Sequence, residues 1–354
     1  EAPSPAVNED LRNEMGMVAC RAAKEISYAG AGTVEFLLDN EKNFYFLEMN
    51  TRLQVEHPVT EMVTGLDLVD LQFKVADGQI LNISQKDIKI RGHSVEVRLY
   101  AEDPSNNFMP STGPISVWKP ESSGICRLDA GITEGQVISP FYDPMLAKVI
   151  SHGVDRQEAI NKLKNSLKET AIFGVKNNRD FLISILNSDA FQGTDVNTSF
   201  LQMNSFEKIE EQEMETAIAA TVFINQIKNQ AAKYALGVEL ELFGWSNFKS
   251  LEHKVSLKLK KKLVEAIVSC ESAKDFLVRV RETSFKIFMD GPNLIIDGEE
   301  KKLFFSEIRE NMLFITFGSR QLSFEVVTAD FKKSDDNDKG SVLSPMHGVI
   351  NKIN

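Results

Sequence analysis

Between Thr33 and Asn50 the chain reads TVEFLLDNEKNFYFLEMN, two runs rich in β-branched and aromatic residues around a polar turn. This stretch limits the fold more than any other, because a short hairpin fixes which side chains face each other. A four-residue loop at Asn40 to Asn43 sets Asp39 opposite Phe44 and, stepping outward, Glu35 opposite Glu48. Two like charges about 5 Å apart in an effective dielectric of about 20 repel by roughly 3 kcal/mol, and a cation between them reverses the sign. A register displaced by one residue would instead keep the two glutamates apart.

The chain continues LEMNTRLQVEHPVTE, from Leu47 to Glu61. If this segment is extended, Glu48, Asn50, Arg52, Gln54 and Glu56 share one face while Met49, Leu53 and Val55 take the other. Alternation alone is equally the mark of a half-buried strand with a wet face. Magnesium suits the facing glutamates best, since it takes one or two carboxylates and fills the rest of its shell with water and phosphate oxygens. Asn50, two residues beyond Glu48, offers a neutral oxygen.

A length of 354 residues predicts two or three domains. The net charge of -11 argues against a nucleic-acid partner, and the densest basic run, KLKKKL around Lys260, reads as a solvated strand edge. No apolar run is long enough to span a membrane, and the opening EAPSPAVNEDL has no signal-peptide pattern. Cys20, Cys126 and Cys270 are single and far apart, which suggests neither a zinc site nor a disulfide framework and fits a reducing compartment. His57, ahead of Pro58, is expected to be extended and to serve as a hydrogen-bonded structural residue. His93, His152, His253 and His347 lack metal-ligand spacing.

The stretch from Tyr28 to Gly65, with its EMNTRLQVEHPVTE core, closely resembles the catalytic half of a biotin carboxylase, an ATP-grasp enzyme. RGHSVEVRLYAEDP from Arg91, STGPI from Ser111, FYDPMLAKVI from Phe141 and GVKNN from Gly174 follow in the family's order, so the resemblance covers about the first 203 residues. It implies that Glu35, Glu48 and Asn50 hold the Mg2+ (or Mn2+) ions that bridge ATP phosphates. It makes Arg52, Gln54 and the Val55 backbone a bicarbonate site, Glu56 the base that deprotonates bicarbonate, and Arg98 the cation that stabilises the biotin enolate. Each role has a physical basis. A guanidinium fork suits a planar anion, a carboxylate beside an arginine keeps the charge a general base needs, and phosphoryl transfer spreads charge that cations must neutralise. On its own strand, SVEVRLYAE, Arg98 would simply pair with Glu96 or meet water.

The family's amino-terminal domain and glycine-rich lid have no counterpart here: Glu35 stands where a third glycine after Gly30 and Gly32 would be needed. The resemblance therefore implies a fragment, unable to hydrolyse ATP alone. Beyond it, Met214, Ala217, Ile218, Thr221, Val222, Ile224, Ile227 and Ala231 recur near the helical period, predicting one amphipathic helix over 207–234 with an acidic first turn. The runs KVSLKL, FLVRVR, FKIFM, NLII, KLFF, MLFITF and LSFEVV, some separated by Asp-Gly turns at Asp290 and Asp297, predict an antiparallel barrel or sandwich.

A long helix followed by such a sheet looks like the domain that docks a biotin carboxylase subunit on its carboxyltransferase partner in acyl-CoA carboxylases. KKSDDNDKG, from Lys332, reads as a linker, and SVLSPMHGVINKIN resembles the opening of a biotinyl carrier domain whose biotinylated lysine would lie beyond Asn354. The expected class is α+β: the C-terminal part of an ATP-grasp domain at 1–85, a biotin carboxylase C-terminal domain at 86–204, a helix-plus-barrel docking domain at 205–331, a linker at 332–340 and the carrier start at 341–354. NNRDFL from Asn177, DVNTSFL after it and FGW at Phe243 to Trp245 look most like the methylcrotonyl-CoA carboxylase α type, a ligase of leucine degradation, with the propionyl-CoA type next. The implied partners are a carboxyltransferase β subunit and the carrier domain, in a hetero-oligomer located in the cytoplasm of a bacterium or the mitochondrial matrix of a eukaryote. A reading from another class is a non-catalytic assembly module that only docks on the carboxyltransferase.

Overall fold

The computed structural model describes residues 1–193, 196–204, 206, 213–234, 251–260 and 262–327. The expected linker, the carrier start, the FGW segment and the first residues of the predicted long helix lie outside them. The class is α+β. By contact density the described residues form two units, one of Glu1–Gln212, Lys286–Ile308 and Phe314–Ser323 and one of the remainder.

Helix α1 (Glu9–Glu25) starts where the Asn8 side chain accepts the Leu11 N–H at 2.9 Å, with Glu9 and Asp10 in the first turn. Strands β1 (Thr33–Leu38) and β2 (Phe44–Asn50) then form the antiparallel hairpin. Glu35 does face Glu48, but by a different route from the one expected. The pairs Leu38↔Phe44, Leu37↔Tyr45 and Phe36↔Phe46 belong to a loop one residue longer, 39–43, and a bulge that skips Leu47 restores the Glu35↔Glu48 pair. Asp39 closes the loop by accepting the Asn43 N–H at 2.8 Å and its Nδ2–H at 3.0 Å.

The extended row ends early. β2 stops at Asn50, residues 51–56 are irregular, and helix α2 (His57–Thr64) begins at His57 with Pro58 in its first turn. His57 is thus helical rather than extended; a proline restricts the residue before it, yet the first helical turn tolerates the pair. Its Nδ1 lies 2.8 Å from the Gln54 carbonyl, the structural hydrogen bond expected of it. Helix α3 (Leu68–Ala76) follows, capped by Asp67, whose side chain accepts the Asp70 N–H at 2.8 Å.

The sheet that carries Arg98 runs β3 (His93–Tyr100), then β6 (Met145–Gly153) in the centre, then β5 (Arg127–Ala130), all antiparallel. A separate pair joins β4 (Val117–Lys119) to β7 (Ala171–Phe173). Helix α4 (Arg156–Glu169) covers one face of the sheet with Ala159, Ile160, Leu163 and Leu167, spaced one helical turn apart. Against it lie Val95, Leu99 and Val149, so the polar alternates Glu96 and Arg98, with Lys148, are left on the opposite face, where α2 packs. Helix α5 (Arg179–Asn187) completes this core with Ile183 and Leu186.

Helix α6 (Glu213–Tyr234) packs on three strands of the sheet that follows it: β8 (Glu252–Leu259), β9 (Lys262–Cys270) and β10 (Asp275–Val280). Its burial departs from a stripe: every residue from Glu215 to Val222 is buried, while Ile227 is exposed. The alanines and threonines there are small enough to pack on all sides, which a count of apolar residues misses. The strands continue as β11 (Thr283–Asp290), β12 (Asn293–Ile296), β13 (Glu299–Arg309), β14 (Met312–Phe317) and β15 (Arg320–Val327), and β8 to β15 close as a barrel in chain order. Lys260 is not on a strand edge but in the β8–β9 turn, at φ +46°, which makes β9 an eighth strand beyond the seven runs read from sequence. At Asp297-Gly298 both residues have positive φ (+48° and +91°), as a two-residue hairpin turn requires, whereas Asp290 ends β11 and Gly291 enters the turn alone at φ +57°.

Candidate functional site

The hairpin and the irregular segment after it hold one continuous set of hydrogen bonds. Asn50 Nδ2–H donates to Glu35 Oε1 at 2.7 Å and to Glu48 Oε1 at 3.2 Å. Gln54 Nε2–H donates to the same Glu35 oxygen at 3.1 Å, and Arg52 Nη1–H donates to Gln54 Oε1 at 2.7 Å and the Leu53 carbonyl at 3.2 Å. The turn after Asn50, not a strand pleat, brings Arg52 and Gln54 back toward Glu35. Among the described residues neither Glu35 nor Glu48 has an ion-pair partner. The facing carboxylates share one amide NH2, the weakest positive end that could stand between them.

That arrangement fits a hard divalent cation. Glu35 and Glu48 supply two carboxylates, the Asn50 amide can turn its oxygen inward, and water or phosphate would complete the shell. Among the described residues no three His, Cys, Asp or Glu side chains gather into a full protein cage.

A second group lies on the polar face of β3 and β6. Arg98 Nη2–H donates to Glu56 Oε2 at 2.9 Å, and Lys148 Nζ–H donates to the Val55 carbonyl at 3.0 Å and lies 3.3 Å from Asp129 Oδ2. Arg127 grips both oxygens of Asp129, at 2.9 and 3.0 Å, and reaches Glu61 Oε2 at 2.6 Å. Glu61 in turn accepts the Leu68 N–H at 2.7 Å. Burial would push the Asp129 carboxyl up, but Arg127 and Lys148 together hold it below its ordinary value. Glu35, Glu48, Asn50, Arg52 and Gln54 therefore converge on one set of bonds and Glu56 with Arg98 on another. The consecutive residues Gln54, Val55 and Glu56 join the two.

Five residues in and beside this second group carried no role in the sequence: Glu61, Glu96, Arg127, Asp129 and Lys148. Lys148 interrupts the apolar run MLAKVI, a signal that a buried acceptor awaits it. Glu96 sits across from the buried Ile150, and its Oε2 is buried without a hydrogen-bond partner among the described residues. Desolvation raises its carboxyl to about 7, opposed by Lys148 on β6 and Arg98 on β3 and reinforced by Glu56. The folded protein thus holds this proton more tightly than the unfolded chain, and stability falls as pH rises from the ordinary value of 4.5 to about 7. Glu96→Gln is expected to flatten that limb, so that at about pH 8 the variant unfolds at higher urea than the parent. Equal urea midpoints at that pH would contradict this account of Glu96.

The family model described as the biotin carboxylase C-terminal domain matches residues 96–203, and that of the carbamoyl-phosphate synthase L chain ATP-binding domain matches residues 1–84. The sequence is 34% identical to the mitochondrial methylcrotonoyl-CoA carboxylase subunit alpha of Mus musculus over 373 residues, covering 100% of this chain and 52% of that one. It is 50% identical to biotin carboxylase 2 of Bacillus subtilis (strain 168) over 205 residues, 58% of this chain and 46% of the relative. The solved biotin carboxylase subunit of pyruvate carboxylase aligns with a TM-score of 0.58 at 41% identity, over 59% of this chain and 47% of its own. The biotin carboxylase domain dimer of Hydrogenobacter thermophilus 2-oxoglutarate carboxylase, solved with MgADP, ADP and bicarbonate, aligns with a TM-score of 0.58 at 39% identity, over 59% and 47%. The chain spans about half the length of the curated relatives it matches.

Proposed function

Residues 1–203 belong to the biotin carboxylase family, and from that premise we propose that the enzyme containing this chain carboxylates carrier-bound biotin with ATP and bicarbonate and passes the carboxyl group to 3-methylcrotonyl-CoA. The observation that favours this acyl group is the extent of the match. Biotin carboxylase 2 aligns with 58% of the chain, whereas the mouse methylcrotonoyl-CoA carboxylase α subunit aligns with all of it, the helix and barrel included.

Glu35, Glu48 and Asn50 would hold Mg2+ (or Mn2+), which when bound neutralises charge on the ATP phosphates. Arg52 spends one Nη on Gln54 and Leu53, leaving further guanidinium N–H donors for a planar anion. Gln54 and the Val55 backbone flank the same place. Glu56 accepts the bicarbonate proton at its carboxylate, making the anion nucleophilic toward the terminal phosphorus of ATP, and ADP leaves as carboxyphosphate forms. Arg98, 2.9 Å from Glu56, is released from that carboxylate once it is protonated and can then face the negative charge that develops on biotin. Asp129 and Lys148, 3.3 Å apart, take no part in these steps.

The domain division proposed with this reading is 1–85, 86–204 and 205–331, the last serving to dock a carboxyltransferase subunit. In the complete enzyme, labelled bicarbonate should enter acid-stable product in an ATP-dependent, avidin-sensitive way, with kcat/KM at least about tenfold higher for 3-methylcrotonyl-CoA than for propionyl-CoA, the scale of discrimination expected for small differences in an apolar pocket. Faster labelling of propionyl-CoA would reverse the choice of acyl group, and no labelling of any acyl-CoA would leave the assembly-module reading in its place.

A further inference from the structure

β3 and β6 place Arg98 directly across from Lys148. Like charges in that relation are destabilising, so each needs an acceptor of its own. Both acceptors are found on the same short piece of chain: Arg98 takes the side chain of Glu56 and Lys148 takes the backbone carbonyl of Val55. That piece belongs to no strand, and it runs irregularly from Thr51 to Glu56 before α2 begins. Its own backbone offers it little, namely His57 N–H to Gln54 O at 3.3 Å and Val59 N–H to Glu56 O at 3.2 Å.

Lys148 is well suited to fix it. The side chain is 11% exposed, so its bond to Val55 is shielded from water and charge-assisted. Asp129 compensates the ammonium from the far side and is itself immobilised by the two-pronged grip of Arg127. The other carboxyl on this face, Glu96, forms no ion pair with Lys148 among the described residues, and burial, which raises it to about 7, weakens its hold on the ammonium. A tether at the Val55 carbonyl fixes the plane of the peptide bond that leads into Glu56, and with it the direction in which the Glu56 side chain leaves the backbone.

The geometry points to Lys148, braced by Asp129, as a positioning residue that clamps the bicarbonate-binding segment to the central sheet through the carbonyl of Val55. This rests on the proposed roles of Arg52, Gln54, Val55 and Glu56. Lys148 itself touches neither substrate nor reacting atoms.

The test compares Lys148→Met and Lys148→Arg with the parent in the complete enzyme. A displacement of about 1 Å in an active-site group can reduce a rate by about 100-fold. Lys148→Met should therefore lower kcat/KM for bicarbonate by about 10- to 100-fold while the KM for ATP stays within about twofold, and Lys148→Arg, which keeps charge and donors, should recover most of the loss. Hydrogen exchange gives a readout independent of activity: in Lys148→Met, peptides covering residues 51–57 should exchange faster while those of β3 and β6 do not. Unchanged exchange at 51–57, or acceleration spread equally through β3 and β6, would overturn the clamp. Should Lys148→Met fail to fold, Asp129→Asn carries the same expectations in weaker form. A parent enzyme without bicarbonate-dependent ATP cleavage would sink the proposed function, and the exchange comparison would still decide the clamp.

Discussion

Glu56→Gln is expected to lower bicarbonate-dependent ATP cleavage by about two to four orders of magnitude, the range typical of removing a positioned general base. The amide has the shape of the carboxylate and can still accept from Arg98, but it cannot take the bicarbonate proton at neutral pH. The fold should scarcely notice. Arg98 and Glu56 have side chains 39% and 53% exposed, and ion pairs that wet contribute about 0–1 kcal/mol. Activity and stability should therefore separate, which ADP release measured beside a urea melt will show. Activity within about tenfold of the parent would remove Glu56 from the role of base.

Arg179→Met is expected to do the reverse, costing about 3 kcal/mol of stability, the low end for the loss of one partner from a buried ion pair, since the Asp180 left behind is 29% exposed. Arg179 is fully buried. Its guanidinium donates to the carbonyls of Leu167 and Lys168, at 2.7 and 2.8 Å, to Asp180, and to Ser319 at 3.5 Å. It thereby satisfies the last turn of α4, where free carbonyls favour a cation. Asp180 also accepts the Gln321 N–H at 3.2 Å, and Gln321 Nε2–H donates to Asn177 Oδ1 at 2.9 Å, so one arginine organises the join between α4, α5 and the start of β15. Burial pushes the Asp180 carboxyl up, and Arg179 opposes that rise. Without the arginine the folded protein would hold the Asp180 proton far more tightly than the unfolded chain, so the variant should lose stability as pH rises above the ordinary carboxylate range. The deficit in urea midpoint should be smaller at about pH 5 than at about pH 8, and Asp180→Asn in the same chain should erase that difference. A loss below about 1 kcal/mol at pH 8 would show that the join is held by other contacts.

The candidate site was legible as a stretch of chain because its motif is dense: Glu48, Asn50, Arg52, Gln54 and Glu56 are proposed from sequence alone. How they meet was less so. The pleat that would line them up ends at Asn50, and a turn does the work instead, because Pro58 favours an early start for α2. Helix α6 was legible as a helix but not in its burial, since alanine and threonine pack on any side that is offered. β9 went unread because lysines at its start masked a strand that turns inward at Ala266. The place of Lys148 was out of reach for a different reason: its acceptors, the Val55 carbonyl and Asp129, lie far from it in sequence, and only the fold brings them to it.

The bulge at Leu47 has a consequence for the ancestry and engineering of this hairpin. Side-chain alternation works like a reading frame of two, and in sequence Phe44, Phe46, Glu48 and Asn50 all share one parity. The unpaired Leu47 shifts that frame, so the two aromatic residues and the two polar ones part company and line opposite faces of one strand. Dropping Leu47 removes the bulge but makes Phe46 and Glu48 neighbours, still on opposite faces and with Glu35 still across from Glu48, whereas one more paired residue between them sends the acid and the amide to the side the phenylalanines hold. Changes of length are therefore tolerable in the loop 39–43, which lies outside the pairs, and between Phe46 and Glu48 only where the number of paired residues stays the same.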